Sequence, residues 1–327
     1  MARVFTTIAT LAAAGAGDSF DLRPPVGEDW EVTGFTGSVF SGGTVPQVDA
    51  GLIDATTGVM TWMRHSGNTG TFENLRGWAG QTRLFINNDC WLRVENADAV
   101  GTVVGISAKL ANKYSPLKTS RVVSGTVTSA VPVAIRPPVG QDWLLTHVGC
   151  SVWAGANPNQ IPATHIDITN GTISATVAND TVASRGWDTP LDIYMNNDNY
   201  AVLTPAGACT LSWSAIITKD YGPRGVSDVI TDVLVAAAGT GIANFQPAVG
   251  EEWIVTQIGC NAAFTAGIPT VLVDLIDTVG QVTIAQISTA NKGWFDEMRY
   301  YLNRDNWLRL TAAPADVVGI SGYKWRE

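Results

Sequence analysis

Arg23-Pro24-Pro25-Val26-Gly27-Glu28-Asp29-Trp30 is the stretch that decides the fold, because the chain writes it again. It returns as Arg136-Pro137-Pro138-Val139-Gly140-Gln141-Asp142-Trp143, and then as Gln246-Pro247-Ala248-Val249-Gly250-Glu251-Glu252-Trp253. A second landmark follows each copy: Asn87-Asn88-Asp89, Asn196-Asn197-Asp198 and Asn303-Arg304-Asp305. A fixed period of about 110 residues means one folded unit repeated three times. The repeated residues are then structural first, and function is to be sought in surfaces and assembly.

The 327 residues allow about 109 per copy, enough for each unit to bury a core without metal or disulfide help. Charged residues are 15% of the chain, hydrophobic ones 46%, and 33 glycines accompany many Val, Ile, Thr and Trp, a composition of strands and turns. The formal charge is −9, and the sequence has no Lys/Arg cluster of the kind that displaces counterions from a phosphate backbone, so no nucleic-acid partner is expected. No run of 18 apolar residues is present, so no membrane helix and no membrane partner are expected either.

The units read as β throughout. Trp30-Glu31-Val32-Thr33-Gly34-Phe35, Trp143-Leu144-Leu145-Thr146-His147-Val148 and Trp253-Ile254-Val255-Thr256-Gln257-Ile258 alternate as strands do. A hairpin signal comes next, in Leu52-Ile53-Asp54-Ala55-Thr56-Thr57-Gly58, Ile166-Asp167-Ile168-Thr169-Asn170-Gly171 and Leu275-Ile276-Asp277-Thr278-Val279-Gly280. There Asp is expected to start the turn and Gly to supply a positive φ near its end. A last hairpin turns on the Asn-rich landmark, and a closing strand places Ile106, Trp213 and Ile320 at matching positions. Eight short strands per unit with turns about every ten residues predict an all-β chain of three tandem antiparallel β-sandwich, jelly-roll-like domains. The expected divisions are 1–115, 116–223 and 224–327, at joints carrying Pro116 and Pro223. Neither joint resembles a long flexible linker, so a compact or semi-rigid array is expected rather than beads on a string.

Two features invite other readings. The Ala-rich stretch to Ala16 looks like a signal peptide, but Leu11-Ala12-Ala13-Ala14-Gly15 matches Val235-Ala236-Ala237-Ala238-Gly239 inside the chain, so it is read as the first strand of the first unit. The cysteines stand at 90, 150, 209 and 260, with Cys150 and Cys260 in equivalent places. Equivalent positions of successive units rarely touch, so buried free thiols in a reducing compartment are expected rather than a disulfide.

A search for chemistry finds little. Eight of twelve tryptophans fall at three recurring positions and suit packing, whereas Trp62 and Trp153 have no clear echo and are the candidate contact residues. The acidic landmarks Glu28-Asp29, Asp142 and Glu251-Glu252 read as turns feeding strands, without the oxygen-rich loop that calcium wants. His65, His147 and His165 form no metal-ligand spacing, and neither a Gly-x-Ser-x-Gly elbow nor a phosphate-cradling loop is present. No catalytic residue, metal or cofactor is expected, and the chain is read as not an enzyme. The spacing from the first landmark Trp to the Gly-Trp pair varies, so loops Ser66–Glu73, Ala154–Ile161 and Ser288–Lys292 are candidate contact loops.

Repeats built on Pro-x-x-Gly-Glu-x-Trp, followed by an Asn-Asn-Asp turn before Trp-Leu-Arg, resemble the small β-sandwich modules in structural proteins of tailed-phage virions. Nearly the whole chain carries the likeness, although the second unit has Tyr200-Ala201 where the first has Trp91-Leu92. The resemblance implies a head decoration, cement or capsid-fibre role, with tail-associated receptor- or glycan-binding proteins as the alternative. It implies the major capsid protein or another virion protein as partner, a homo-oligomer, and a place in the virion after assembly in the host cytoplasm. It carries over no catalytic residue.

Overall fold

A computed structural model describes residues 4–11, 19–39, 48–56, 58, 60–66, 77–96, 102–114, 120–152, 164–180, 191–205, 207–237, 239–261, 271–287, 293–294, 299–312 and 316–326. All regular structure among them is β-strand. The first unit runs β1 (Val4–Leu11), β2 (Ser19–Leu22), β3 (Glu28–Val39), β4 (Val48–Asp54), β5 (Met60–Ser66), β6 (Gly77–Ile86), β7 (Cys90–Asn96) and β8 (Thr102–Lys113). The second runs β9 (Val122–Ser129), β10 (Val133–Ile135), β11 (Gln141–Val152), β12 (Thr164–Thr169), β13 (Ser174–Asp180), β14 (Ile193–Met195), β15 (Tyr200–Thr204) and β16 (Cys209–Asp220). The third runs β17 (Asp232–Val235), β18 (Ile242–Phe245), β19 (Glu252–Asn261), β20 (Val271–Ile276), β21 (Gln281–Ile287), β22 (Gly293–Trp294), β23 (Tyr300–Leu302), β24 (Trp307–Thr311) and β25 (Val317–Arg326).

The strand order is the same in each unit. The first has sheets β1-β8-β3-β6 and β2-β7-β4-β5, the second β9-β16-β11-β14 and β10-β15-β12-β13. The third has β17-β25-β19-β22 with β23 also on β19, and β18-β24-β20-β21. Every pairing is antiparallel, and the 1-8-3-6 over 2-7-4-5 order is the double Greek key of a jelly roll. The two sheets of the first unit share one core, Val32, Leu84, Ile86 and Ile106 from one sheet meeting Leu52, Leu92 and Val94 from the other. The second and third units have the matching clusters around Leu145, Ile168 and Leu203, and around Val255, Val273 and Leu310.

The two sequence landmarks meet in space. The Pro25 carbonyl accepts from Glu28 N–H at 3.1 Å, Pro138 from Gln141 and Ala248 from Glu251 at 3.2 and 3.1 Å, with Gly27, Gly140 and Gly250 at φ of 89, 93 and 90°. Only glycine accepts that backbone readily at the third turn position. Asn87 Oδ1 accepts from the N–H groups of Asp89 and Cys90, as Asn196 and Asn303 do in their turns. Arg23 then donates to the Asn88 carbonyl at 2.8 Å and Arg136 to that of Asn197 at 2.7 Å, so the first turn is stitched to the second. The landmark tryptophans each donate Nε1–H to the side chain two residues earlier, on Glu28, Gln141 and Glu251.

The middle hairpins depart from the expected turn chemistry in two places. Asp54 and Asp277 cap their turns, but in the second unit Asn170 does so and Asp167 lies within β12, accepting from Thr176 at 2.7 Å. Gly58 and Gly171 hold φ of 64 and 86°, while Gly280 has no positive φ; its turn closes through Asp277 Oδ1 on the N–H groups of Val279 and Gly280 and through Asp277 N–H on the Gly280 carbonyl. Cys90, Cys209 and Cys260 are buried, and burial pushes the Cys90 thiol up to about 12. The side chain of Cys150 lies outside the described residues.

Candidate interaction surfaces

Each unit is held to the next by the same parts. Asp29, buried in the first landmark, accepts from Ser120 Oγ at 2.5 Å and from Arg121 N–H at 2.9 Å, and Asn87 Nδ2 donates to the same Ser120 oxygen at 3.0 Å. One unit later, Asp142 accepts from Ser227 Oγ at 2.6 Å and Asp228 N–H at 2.8 Å, with Asn196 Nδ2 on Ser227 at 2.9 Å. The landmark carboxylate and the first Asn of the turn therefore grip the segment that begins the following unit. Desolvation raises the Asp142 carboxyl, opposed by the bonds from Ser227 and Asp228. Sequence reading assigned these acids to turns alone; their partners lie some ninety residues on, and the only prior signal was a serine at each joint.

A sheet face meets a strand edge in the second contact. β5 and β6 of the first unit lie against β11 and β16 of the second, and β13 and β14 of the second lie against β19 and β25 of the third. The Ser214 hydroxyl on β16 bridges the backbone of Phe85 on β6, accepting from its N–H at 3.0 Å and donating to its carbonyl at 2.7 Å. The Ser321 hydroxyl on β25 does the same for Tyr194 on β14, at 2.8 and 3.1 Å. An edge strand presents unpaired N–H and C=O groups, and here one hydroxyl satisfies both. We call the strand side that gives these groups the outgoing edge and the sheet that takes them the receiving face. The Ser-bearing triplets Gly105-Ile106-Ser107, Ser212-Trp213-Ser214 and Gly319-Ile320-Ser321 recur every 107 residues, a signal present in the sequence but unused.

Close approach makes the rest of the receiving face. A Cβ on Gly259 would stand 2.2 Å from the Thr176 carbonyl oxygen, and one on Gly319 2.9 Å from Ala175 Cβ, so both glycines are required where β13 crosses β19 and β25. Gln257 Nε2 donates to the Val177 carbonyl at 3.3 Å, and the Tyr194 and Tyr323 rings lie 4.5 Å apart. Val233 of the third unit is buried in the core of the second, with Val317 packed on it, so the next unit closes an otherwise open side of the sandwich. In the first contact, Arg83 pairs with Asp192 at 2.6 Å, and Asp192 in turn lies 3.8 Å from Arg299. These three residues hold one position in the three units, so charges of alternating sign run along the array.

His147 sits at the Gln257 position and is fully buried, with neither ring nitrogen hydrogen-bonded among the described residues. Desolvation brings its pKa down to about 3, so it is neutral. Of the predicted contact residues, Trp62 lies on β5 opposite Gly51, on the strand that meets β11 and β16, and its side chain is outside the described residues. Trp153 and loops 67–73, 154–161 and 288–292 also fall outside them. Among the described residues no three His, Cys, Asp or Glu side chains group to hold a metal, and no helix is long and apolar enough to cross a membrane.

No protein family and no curated protein matches the chain. Among solved structures, a chain from the atomic structure of Sulfolobus Turreted Icosahedral Virus is similar at 7% identity, covering 99% of this chain and 90% of that one, with a TM-score of 0.24. A chain from the work on the triple jelly roll fold and turret assembly in an archaeal virus matches at 7% identity over 99% and 89%, with a TM-score of 0.27. A chain from the lipid-containing bacteriophage PM2 matches at 11% identity over 98% and 86%, with a TM-score of 0.15. Superpositions this loose leave the fold resting on the strand order itself.

Proposed function

We propose that the chain is a structural protein of a virion, and within that class a capsid decoration or cement protein that binds the head and stabilises it. The observation that carries this reading is the paired inter-unit contact. Two successive junctions use the same carboxylate grip and the same hydroxyl bridge, so three sandwiches become one stiff array instead of three tethered beads. A stiff array spreads load between neighbours in a shell, and the role is mechanical, without catalysis or cofactor. The domain divisions proposed with it are 1–115, 116–223 and 224–327, and Trp62 and Trp153 are its proposed contact residues toward the major capsid protein or another virion protein.

Mass spectrometry of purified virions, combined with cryo-imaging, tests the reading. The expected result is the chain in the particle, with three-lobed density on the outer surface of the head. Density at the tail tip would replace cement with a receptor- or glycan-binding role, and absence from the particle would end the virion reading.

A further inference from the structure

The array has one outgoing edge and one receiving face left over, at opposite ends. In the second unit Ala175, Val177, Ile168 and Ile193 are fully buried. Their counterparts in the third are Val282, Ile284, Leu275 and Tyr300; Val282 is 57% exposed and the other three are half-buried. Tyr301, at the place of Phe85 and Tyr194, is 63% exposed and stacks edge-on with an exposed Trp325. Exposed apolar groups grouped on one open sandwich side mark a contact surface.

At the other end, the first unit keeps the receiving chemistry. Ser107 stands where Ser214 and Ser321 do, and Thr33 Oγ1 donates to its carbonyl at 3.3 Å, as Thr146 does to Ser214 at 3.3 Å and Thr256 to Ser321 at 3.1 Å. Ser214 and Ser321 are fully buried, whereas Ser107 and Thr33 are half-exposed. Charge fits only in part. Glu31 replaces the Leu144 and Ile254 of the other receiving faces and lies 3.1 Å from Lys109 and 3.8 Å from Arg83. Arg299, the outgoing residue at the Arg83 position, is more than half exposed, and by the register that sets Arg83 on Asp192 it would meet Arg83 of the second copy, so like charges weaken the contact. Lys109, at the Tyr323 position, presents an ammonium where the Tyr301 ring would arrive.

We propose that the outgoing edge of the third unit binds the receiving face of the first unit of a second copy, so that the chain assembles head to tail. The contact is heterologous, and it makes a ring or an open filament according to whether its rotation closes. Thr36 occupies the position of Gly149 and Gly259, so β21 cannot come as near as β13 does to β19, and the contact between copies is weaker than the two within one chain. The proposal stands apart from the virion reading, since it is measured on the purified chain alone.

The internal contact supplies the test. Ala175 approaches a built Cβ on Gly319 to 2.9 Å, so cysteines at the equivalent Val282 and Gly105 of two copies come within disulfide reach. Full-length Val282→Cys and Gly105→Cys chains are mixed under mild oxidation and compared with each alone. Disulfide-linked dimer is expected in the mixture and in neither chain by itself. Adding Arg299→Glu to the Val282→Cys chain should raise the yield severalfold by setting a carboxylate beside Arg83 of the other copy, as Asp192 is set within the chain, and adding Thr36→Gly to the Gly105→Cys chain should raise it too. Circular dichroism establishes that the variants remain folded. A Val282→Cys chain that links to itself as well as it links in the mixture would overturn the proposal in favour of a two-fold pairing. A mixture giving no more dimer than the parent chain would overturn it outright.

Discussion

The junction between the first and second units and the junction between the second and third share a backbone and differ in filling. Both have a carboxylate on a serine, an asparagine on the same serine, and a hydroxyl across the N–H and C=O of one edge residue. Yet His147 stands in one where Gln257 stands in the other, Ile216 where Tyr323 does, and Phe85 where Tyr194 does. Geometry fixed by main-chain hydrogen bonds tolerates such exchange, because each side chain needs only to fill its own space. The junctions are alike where atoms must meet at bonding distance and free elsewhere.

If that is right, the largest effect follows from intruding on the shared backbone approach. Gly259→Val places a branched side chain where the first added carbon already stands 2.2 Å from the Thr176 carbonyl oxygen and 2.7 Å from Val177 Cα. Those are main-chain atoms, so the sheet must retreat, breaking the Gln257 and Ser321 bonds with it. A loss of about 3 kcal/mol is expected in urea unfolding. Gly280→Val meets nothing within 4 Å and should change stability by no more than about 0.5 kcal/mol. Equal effects at the two glycines would mean that the crossing of β13 over β19 bears no load.

The next comparison exchanges filling only. Burial lowers the His147 pKa from 6.5 to about 3, so below 6.5 the unfolded chain takes up a proton that the folded junction refuses. Stability is therefore complete above pH 6.5 and falls on acidification, by at most about 1.4 kcal/mol per pH unit, until the folded histidine itself protonates. His147→Gln installs the residue that serves the other junction, where Gln257 reaches the Val177 carbonyl. Denaturant midpoints taken from pH 7 to pH 4 should fall less steeply for this variant than for the parent. Parallel slopes would place the acid sensitivity elsewhere.

The same contrast separates what the sequence disclosed from what it concealed. Turn residues act on their immediate neighbours, so Asn87, Asn196 and Asn303, or Gly27, Gly140 and Gly250, declare themselves by type and spacing, and the jelly-roll order of short strands follows from counting turns. The grip of Asp29 on Ser120 spans 91 residues, and no local pattern distinguishes that aspartate from a turn acid. The receiving face was concealed for another reason. Its residues are small and polar, Ser214, Thr146, Gly259 and Ser321, which in an alternating strand read as a solvated face. They are instead buried, because a neighbour with a bare strand edge supplies the hydrogen bonds that water otherwise would.

The smallest effect belongs to the charges that run along the array. Arg83 and Asp192 pair at 2.6 Å, but their side chains keep 34% and 27% of their exposure, and Arg299 approaches the same carboxylate only to 3.8 Å. Solvent screens such a pair, so a double-mutant cycle of Arg83→Met and Asp192→Asn should give a coupling of about 0.5 kcal/mol, smaller still in concentrated salt. Asp192→Arg would set three like charges in a row and should cost somewhat more, recoverable with salt. A coupling above about 2 kcal/mol, insensitive to salt, would exceed what exposed pairs supply. The filling and not the backbone would then hold the first junction, and the resemblance between the two junctions would be one of shape without shared energetics.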